Sequence, residues 1–211
     1  MQDFGLRDAC NGHKVVLLDT SALHLRELGL FGKKETDAPL LRSGRDHIKY
    51  LDSVNELFRS ALLITPGVSN ELGRFEELTK KLEIPRSQKN LIKQVCDFAR
   101  NNRVITYTEE EQRMVNDASL YFKFFSRFIS AADYEILISS IATGTYRGSS
   151  GVLTNDTGMM YTFDAMVKFL RKGYVNHGMP RVACPIKIYS MMTEGEFSVQ
   201  SCYDPNTCRT R

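Results

Sequence analysis

Four carboxylates, Asp19, Glu71, Asp133 and Asp156, each lie at or just beyond the predicted start of a helix, and two of them close an apolar run. Asp19 ends Lys14-Val15-Val16-Leu17-Leu18, and Asp156 follows Gly151-Val152-Leu153-Thr154-Asn155. Runs of β-branched and aliphatic residues suit strands buried on both faces of a parallel sheet. Ligands of such sheets gather beyond the carboxyl ends of the strands, so Asp19 and Asp156 are expected at one rim. Glu71 and Asp133 fall in the opening turns of helices that start on the same side, and all four acids are expected to converge. Two unit charges ~4 Å apart repel by about 4 kcal/mol at an effective dielectric near 20. A set of such repulsions rivals the ~5–15 kcal/mol stability of a whole domain. Oxygen donors without His or Cys beside them favour Mg2+ or Mn2+ over zinc. A carboxylate site that leaves water on the metal suits phosphodiester hydrolysis, one ion activating water and a second stabilising the leaving oxygen.

Thr20, Ser21 and Thr154 flank these acids. Their hydroxyls are expected either to hold a metal water or the scissile phosphate, or to serve as plain helix caps. Glu135 points away from Asp133 at its two-residue helical offset, Asp164 lies two turns into its helix, and Glu76 and Glu77 read as solvated-face charges. The histidines His13, His24, His47 and His177 have no ligand spacing, and no nucleophilic triad is readable. Gly144 to Gly151 contains Arg147 but lacks the Lys-Ser/Thr ending of a phosphate-binding loop, so it is expected to frame the site as a turn. The run Tyr121-Phe122-Lys123-Phe124-Phe125 with Arg127 reads as core or a dimer face before it reads as a platform for bases.

The elements that must position these residues follow from punctuation and periodicity. Residues 14–18 predict a strand, and Ala22, Leu23, Leu25 and Leu28 a helix running to Gly29. Phe31 to Gly44 predicts a loop and Arg45 to Phe58 a helix, followed by a buried strand over residues 61–65. Pro66 then opens the helix that carries Glu71. Further helices are predicted over 87–101 and 109–128, the latter opened by the capping box Thr108-x-x-Glu111, with a short strand over 103–107 between them. Ser130 begins the helix of Asp133, which ends at Gly144. Residues 151–154 predict a strand, 160–171 a helix, and 182–189 a last strand in which Pro185 suits an edge or a bulge. Phe197-Ser198-Val199-Gln200 adds a short edge strand before a polar tail. Strands separated by helices imply right-handed βαβ units, hence a three-layer α/β/α fold with a central, mainly parallel sheet. Residues 1–190 are read as one domain, and 191–211 as a C-terminal edge strand and polar tail.

Composition bounds the rest. A chain of 211 residues with 42% hydrophobic and 25% charged side chains is long and apolar enough to bury one core. A formal charge of +3 permits a polyanionic partner without announcing one. No run reaches the ~18 apolar residues of a membrane span, and Asp3, Arg7 and Asp8 interrupt what a signal peptide keeps apolar, so a cytoplasmic protein with no membrane association is expected. The odd cysteine count, five, argues against a disulfide framework, and Cys202 and Cys208 lack Cys-x-x-Cys spacing.

Together these motifs resemble the PIN-domain family. Residues 15–23, with Asp19 followed by Thr20 and Ser21, look like its opening strand motif. Val68-Ser69-Asn70-Glu71-Leu72 resembles the second acidic motif, Ala131 to Leu137 the third, and Val152-Leu153-Thr154-Asn155-Asp156 the fourth. The likeness runs from about Lys14 to Tyr189. It implies a metal-dependent endoribonuclease that cuts single-stranded RNA with Mg2+ or Mn2+ held by Asp19, Glu71, Asp133 and Asp156, and a tendency to form homodimers. It further implies a toxin with an antitoxin partner, or an RNA-processing enzyme with a protein partner. The chain departs from the small toxin nucleases in the segment around 31–44, the helices between Glu76 and Phe128, and the Cys-containing tail. Two other readings remain: a catalytically silent PIN module acting as an RNA-binding or assembly scaffold, and a structure-specific DNA nuclease.

Overall fold

The run Val15-Val16-Leu17-Leu18 forms a strand in which every residue is buried, none more than 3% exposed. Successive strand residues face opposite sides of a sheet, so uninterrupted burial requires cover on both faces. The computed structural model describes residues 3–5, 13–23, 62–81, 86–101, 103–173, 182, 185–191 and 196–203. In chain order the elements are β1 (Asp3–Gly5), β2 (Val15–Leu18), a 3₁₀ turn (Thr20–Leu23), β3 (Leu62–Ile64), α1 (Pro66–Lys81), α2 (Arg86–Asn101), β4 (Arg103–Val104) and α3 (Glu109–Tyr121). A 3₁₀ segment (Lys123–Arg127) leads into α4 (Ala131–Tyr146), β5 (Ser150–Leu153), α5 (Thr157–Gly173), β6 (Ile186–Met191) and β7 (Glu196–Tyr203). The helices expected beyond Leu23 and over 45–58, and the loop between them, lie outside the described residues, as do His24, His47, His177 and Cys208.

The strands form one sheet in the order β1-β7-β6-β5-β2-β3-β4. From β6 to β4 every neighbouring pair is parallel, while β7 runs antiparallel to both β6 and β1. Helices flank this central parallel sheet, giving the three-layer α/β/α arrangement. Helix α4 packs against β2, β5 and β6 and is itself covered by α1, α3 and α5. It is therefore buried without a break from Ile136 to Gly144, as expected of a helix enclosed on all sides. Its buried hydroxyls are satisfied locally: Ser139, Ser140 and Thr143 donate to carbonyls three or four residues back, and Thr143 Oγ1 lies 3.1 Å from Ser150 Oγ on β5.

Several element boundaries depart from the sequence expectations, among them the strand expected over 103–107, which ends at Val104, and the helix expected over 160–171, which starts at Thr157. Helix α3 stops at Tyr121 because Phe122 and Phe125 both turn inward, Phe122 fully buried, and a three-residue spacing on one face is the period of a 3₁₀ turn. Helix α4 runs past Gly144 to Tyr146, and the turn is made at Gly148, whose φ of 109° is left-handed backbone open to glycine. Strand β6 begins only after Pro185, which has no N–H to give a ladder. The expected edge strand at Phe197 is an eight-residue strand with neighbours on both sides, and β1 forms the edge in its place.

Candidate metal centre

Asp19 sits where β2 ends, its backbone N–H donating to Leu153 O at 3.0 Å as the last rung toward β5. Only 1% of it is exposed, and hydroxyls hold its side chain. Thr154 Oγ1 donates to Oδ2 at 2.7 Å, and Ser21 Oγ donates to the same oxygen. Both protons are thereby used, so the 3.0 Å Ser21–Thr154 contact brings two lone-pair oxygens together. Those oxygens are in turn occupied, Ser21 Oγ by Asn155 N–H at 2.8 Å and Thr154 Oγ1 by Asp156 N–H at 3.0 Å. The network locks Asp19 to the segment that carries Asp156, while the backbone N–H groups of Thr20 and Ser21 also donate to its carboxylate and Thr20 Oγ1 lies 3.4 Å from Oδ1. Burial raises the Asp19 carboxyl above its ordinary range, against the opposing pull of the Ser21 and Thr154 hydroxyls.

Thr20 extends the network to the neighbouring helix. Its hydroxyl lies 2.9 Å from Glu71 Oε2, and with a single proton to give, this shorter contact takes it. Glu71 is half-buried on α1, beside the inward row of Val68, Leu72 and Thr79.

Asp133 and Asp156 each divide their carboxylates between the rim and a helix start. Ser130 and Asp133 form a reciprocal capping box, Ser130 N–H donating to Asp133 Oδ2 at 3.2 Å and Asp133 N–H to Ser130 Oγ at 3.1 Å. Asp156 Oδ1 accepts Met159 N–H at 2.9 Å and caps α5. Asp133 nevertheless lies in the field of the other acids: burial, then the charge of Asp19, then that of Asp156, push its carboxyl up to about 6 against the bonds from Ser130. The four acids share one end of the sheet without closing on one another. No group of three or more His, Cys, Asp or Glu side chains among the described residues stands in metal-holding geometry. The donor set still fits a hard divalent cation, since it offers carboxylate and hydroxyl oxygens and carries mutual repulsion that a cation relieves.

The cost of charging Asp133, from burial first and from its acidic neighbours second, has a pH signature. The unfolded carboxyl titrates near 3.8 and the folded Asp133 near 6, so between these values the folded chain holds the extra proton. Burial first and the charges of Asp19 and Asp156 second make the charged form above about pH 6 unfavourable, and that cost vanishes below the unfolded value. Asp133→Asn keeps an acceptor for Ser130 N–H and removes the charge. It is expected to melt above the wild type at neutral pH in EDTA and level with it at about pH 4; an equal gain at both pH values would show that the Asp133 charge is not its source.

Two residues that position the rim carried no usable mark in the sequence. Glu135 Oε2 accepts Gly67 N–H at 2.6 Å, anchoring the start of α1 against α4; this is the work of the acid that points away from Asp133. A Cβ on Gly67 would stand 2.3 Å from Glu135 Oε2, 3.1 Å from Ala132 Cα and 3.2 Å from Ala132 Cβ. The carboxylate can swing aside, but the Ala132 backbone cannot. Gly67→Ala is therefore expected to destabilise by about 1–2 kcal/mol, the clash outweighing the better helix propensity of alanine. A denaturant midpoint at or above wild type would show that the helices do not need this approach.

Elsewhere the chemistry-bearing residues are structural. His13 is buried, 2.5 Å from Tyr189 Oη, and burial followed by the charge of Lys187 brings its pKa down to about 4. Arg147 grips buried Glu111 with Nε at 2.5 Å and Nη2 at 2.7 Å, and Nη2 also donates to Thr106 O at 2.6 Å. It thereby closes the C-terminal end of α4, opposite the helix start that bears Asp133. Cys96 is buried and Cys202 exposed, both as thiols. No helix among the described residues is long and apolar enough to cross a membrane. No protein-family model matches the chain, and no curated protein matches it.

Proposed function

We propose that this chain is a divalent-metal-dependent endoribonuclease of PIN type that cleaves single-stranded RNA at the rim formed by Asp19, Glu71, Asp133 and Asp156. The observation that supports it is the hydroxyl relay: Thr154 and Ser21 orient Asp19, Thr20 reaches Glu71, Thr154 also holds the backbone of Asp156, and Asp133 feels the charge of both aspartates. Helix caps alone do not require four acids from separate segments to lie at the same end of a parallel sheet. In this reading the four carboxylates hold Mg2+ or Mn2+, and Thr20, Ser21 and Thr154 fix the direction from which Asp19 and Asp156 present their oxygens. The bound ions would supply an activated water and charge stabilisation for the leaving oxygen. The preference for single-stranded RNA rests on the resemblance of the four acidic motifs to the PIN family. A cytoplasmic setting, homodimerisation, and an antitoxin or RNA-processing partner belong to the same proposal.

Digestion of a mixed RNA pool tests it. Cleavage is expected with Mg2+ and more strongly with Mn2+, and none with EDTA or Ca2+; metal-independent cutting would overturn the assignment. Faster cutting of duplex DNA than of unstructured RNA would substitute the DNA-nuclease reading. The catalytically silent scaffold has one observation in its favour, the commitment of Asp133 and Asp156 to helix caps. Mn2+ separates the two readings, because an ion that binds only the folded state adds RT ln(1 + [L]/Kd), about 2.7 kcal/mol at a hundredfold excess over Kd. A nuclease centre should show this gain in the wild type and lose it in Asp133→Asn/Asp156→Asn.

A further inference from the structure

The 3₁₀ segment that replaces the end of α3 exposes two aromatic rings immediately before the start of α4. Phe124 and Phe128 are 61% and 62% exposed, with ring centroids 5.3 Å apart in an edge-to-face pair. Beneath them Phe122 is fully buried and Phe125 packs on the core, 6.0 Å from Phe169 of α5. Turn hydrogen bonds fix the segment: Phe125 N–H to Phe122 O at 2.8 Å, Phe128 N–H to Phe125 O at 3.1 Å, and Ser126 Oγ to Lys123 O at 2.8 Å. The rings are therefore presented on a rigid base, and exposed aromatic patches of this kind mark interaction sites.

Charge and position indicate the occupant. Lys123 and Arg127 alternate with the rings on the exposed side, the Arg127 guanidinium 6.0 Å from the Phe124 centroid. From Leu120 to Ala132 the chain has no Asp or Glu. A second copy docking through a twofold axis would set this cationic segment against itself with no acid in it to pair. A polymer with negative links and flat faces matches both features, since single strands are held by cations along the backbone and aromatic rings under the bases. The segment also runs into the acidic rim: Ile129 Cγ2 lies 4.0 Å from the Cβ position of Gly158, where Asp156 Oδ1 lies 2.9 Å away, and Ser130 is the cap partner of Asp133.

We propose that Phe124 and Phe128, with Lys123 and Arg127, form a base-stacking platform that holds a single-stranded nucleic acid beside the acidic rim. The proposal rests on the nuclease reading for its purpose, and its test does not require cleavage. Anisotropy in EDTA would compare a labelled uridine oligonucleotide with an abasic ribose-phosphate strand of the same length. Phe124→Ala/Phe128→Ala should weaken uridine binding roughly tenfold or more and leave abasic binding unchanged, whereas Phe124→Trp should retain it. Arg127→Met should weaken both strands and flatten the salt dependence by about 0.7 in log–log slope. Each variant is expected to give the wild-type circular dichroism spectrum, since the substituted side chains are exposed. The platform is overturned if wild type fails to bind, if the double variant binds uridine normally or loses both strands equally, or if sedimentation shows a wild-type dimer that the variant dissociates. Ring-dependent binding without metal-dependent cleavage would leave the platform standing and remove the nuclease; cleavage with ring-independent binding would do the reverse.

Discussion

Asp19→Asn is expected to lower the proposed RNA cleavage by about a thousandfold or more and to melt at a higher temperature than wild type in EDTA. The amide preserves shape, and its oxygen accepts the Thr154 and Ser21 hydroxyls as the carboxylate does. What disappears is a charge on a residue 1% exposed, so the desolvation that raises the Asp19 carboxyl no longer opposes folding. Losing the charge would also weaken the hold of the proposed centre on a divalent cation. A thousandfold fall in rate corresponds to about 4 kcal/mol of barrier, well within what removing one anionic ligand achieves. Single-turnover cleavage and thermal melting on the same preparation decide the matter. Wild-type rates in the variant would remove Asp19 from the centre, and a drop in both rate and melting temperature would make it a structural residue.

Arg147→Met is expected to destabilise the chain by about 3–5 kcal/mol, the usual cost of stranding a buried charge, without touching the rim. Glu111 has no exposed surface. Its burial would raise the carboxyl, but the Arg147 hydrogen bonds, the Thr108 N–H and the Arg147 charge outweigh that and hold it below its ordinary range. A depressed carboxyl contributes stability above its unfolded value, and that contribution is lost as pH falls through the folded value. The pair should therefore matter at neutral pH and fade in acid. Glu111→Gln keeps an acceptor for the Thr108 cap and removes the charge. Combined with Arg147→Met, it should recover most of the loss. A double variant as unstable as the sum of the single ones would show that the ion pair is not what joins α3 to α4.

The parts of this fold that sequence makes legible are those whose signals are local. Val15 to Leu18 is an unbroken apolar run ending in an acid, and β2 with Asp19 at its tip follows directly. Thr108 and Glu111 form the expected capping box, with both reciprocal bonds present. Ser130-x-x-Asp133 obeys the same rule, but the expectation of a ligand at Asp133 passed over its use as a cap. Contacts between distant segments leave no such trace. The approach of Gly67 to Glu135 and Ala132 depends on how closely two helices pack, and the grip of Arg147 on Glu111 depends on where α3 crosses α4. The neighbours of β7 likewise depend on β1, whose three residues carry no strand pattern of their own.

Sheet order also dictates a timetable for the growing polypeptide. Val16, in the first central strand to leave the ribosome, pairs with Leu62 on one side and Gly151 on the other, so β2 stays unpaired until much later segments are synthesised. Until β3 emerges, one of the most apolar stretches of the nascent chain presents open backbone donors and acceptors on both sides, and it keeps one side open until β5 follows, a template for strand addition by other chains. Production of this protein should accordingly depend on chaperones that shield the early strand until translation has passed β5.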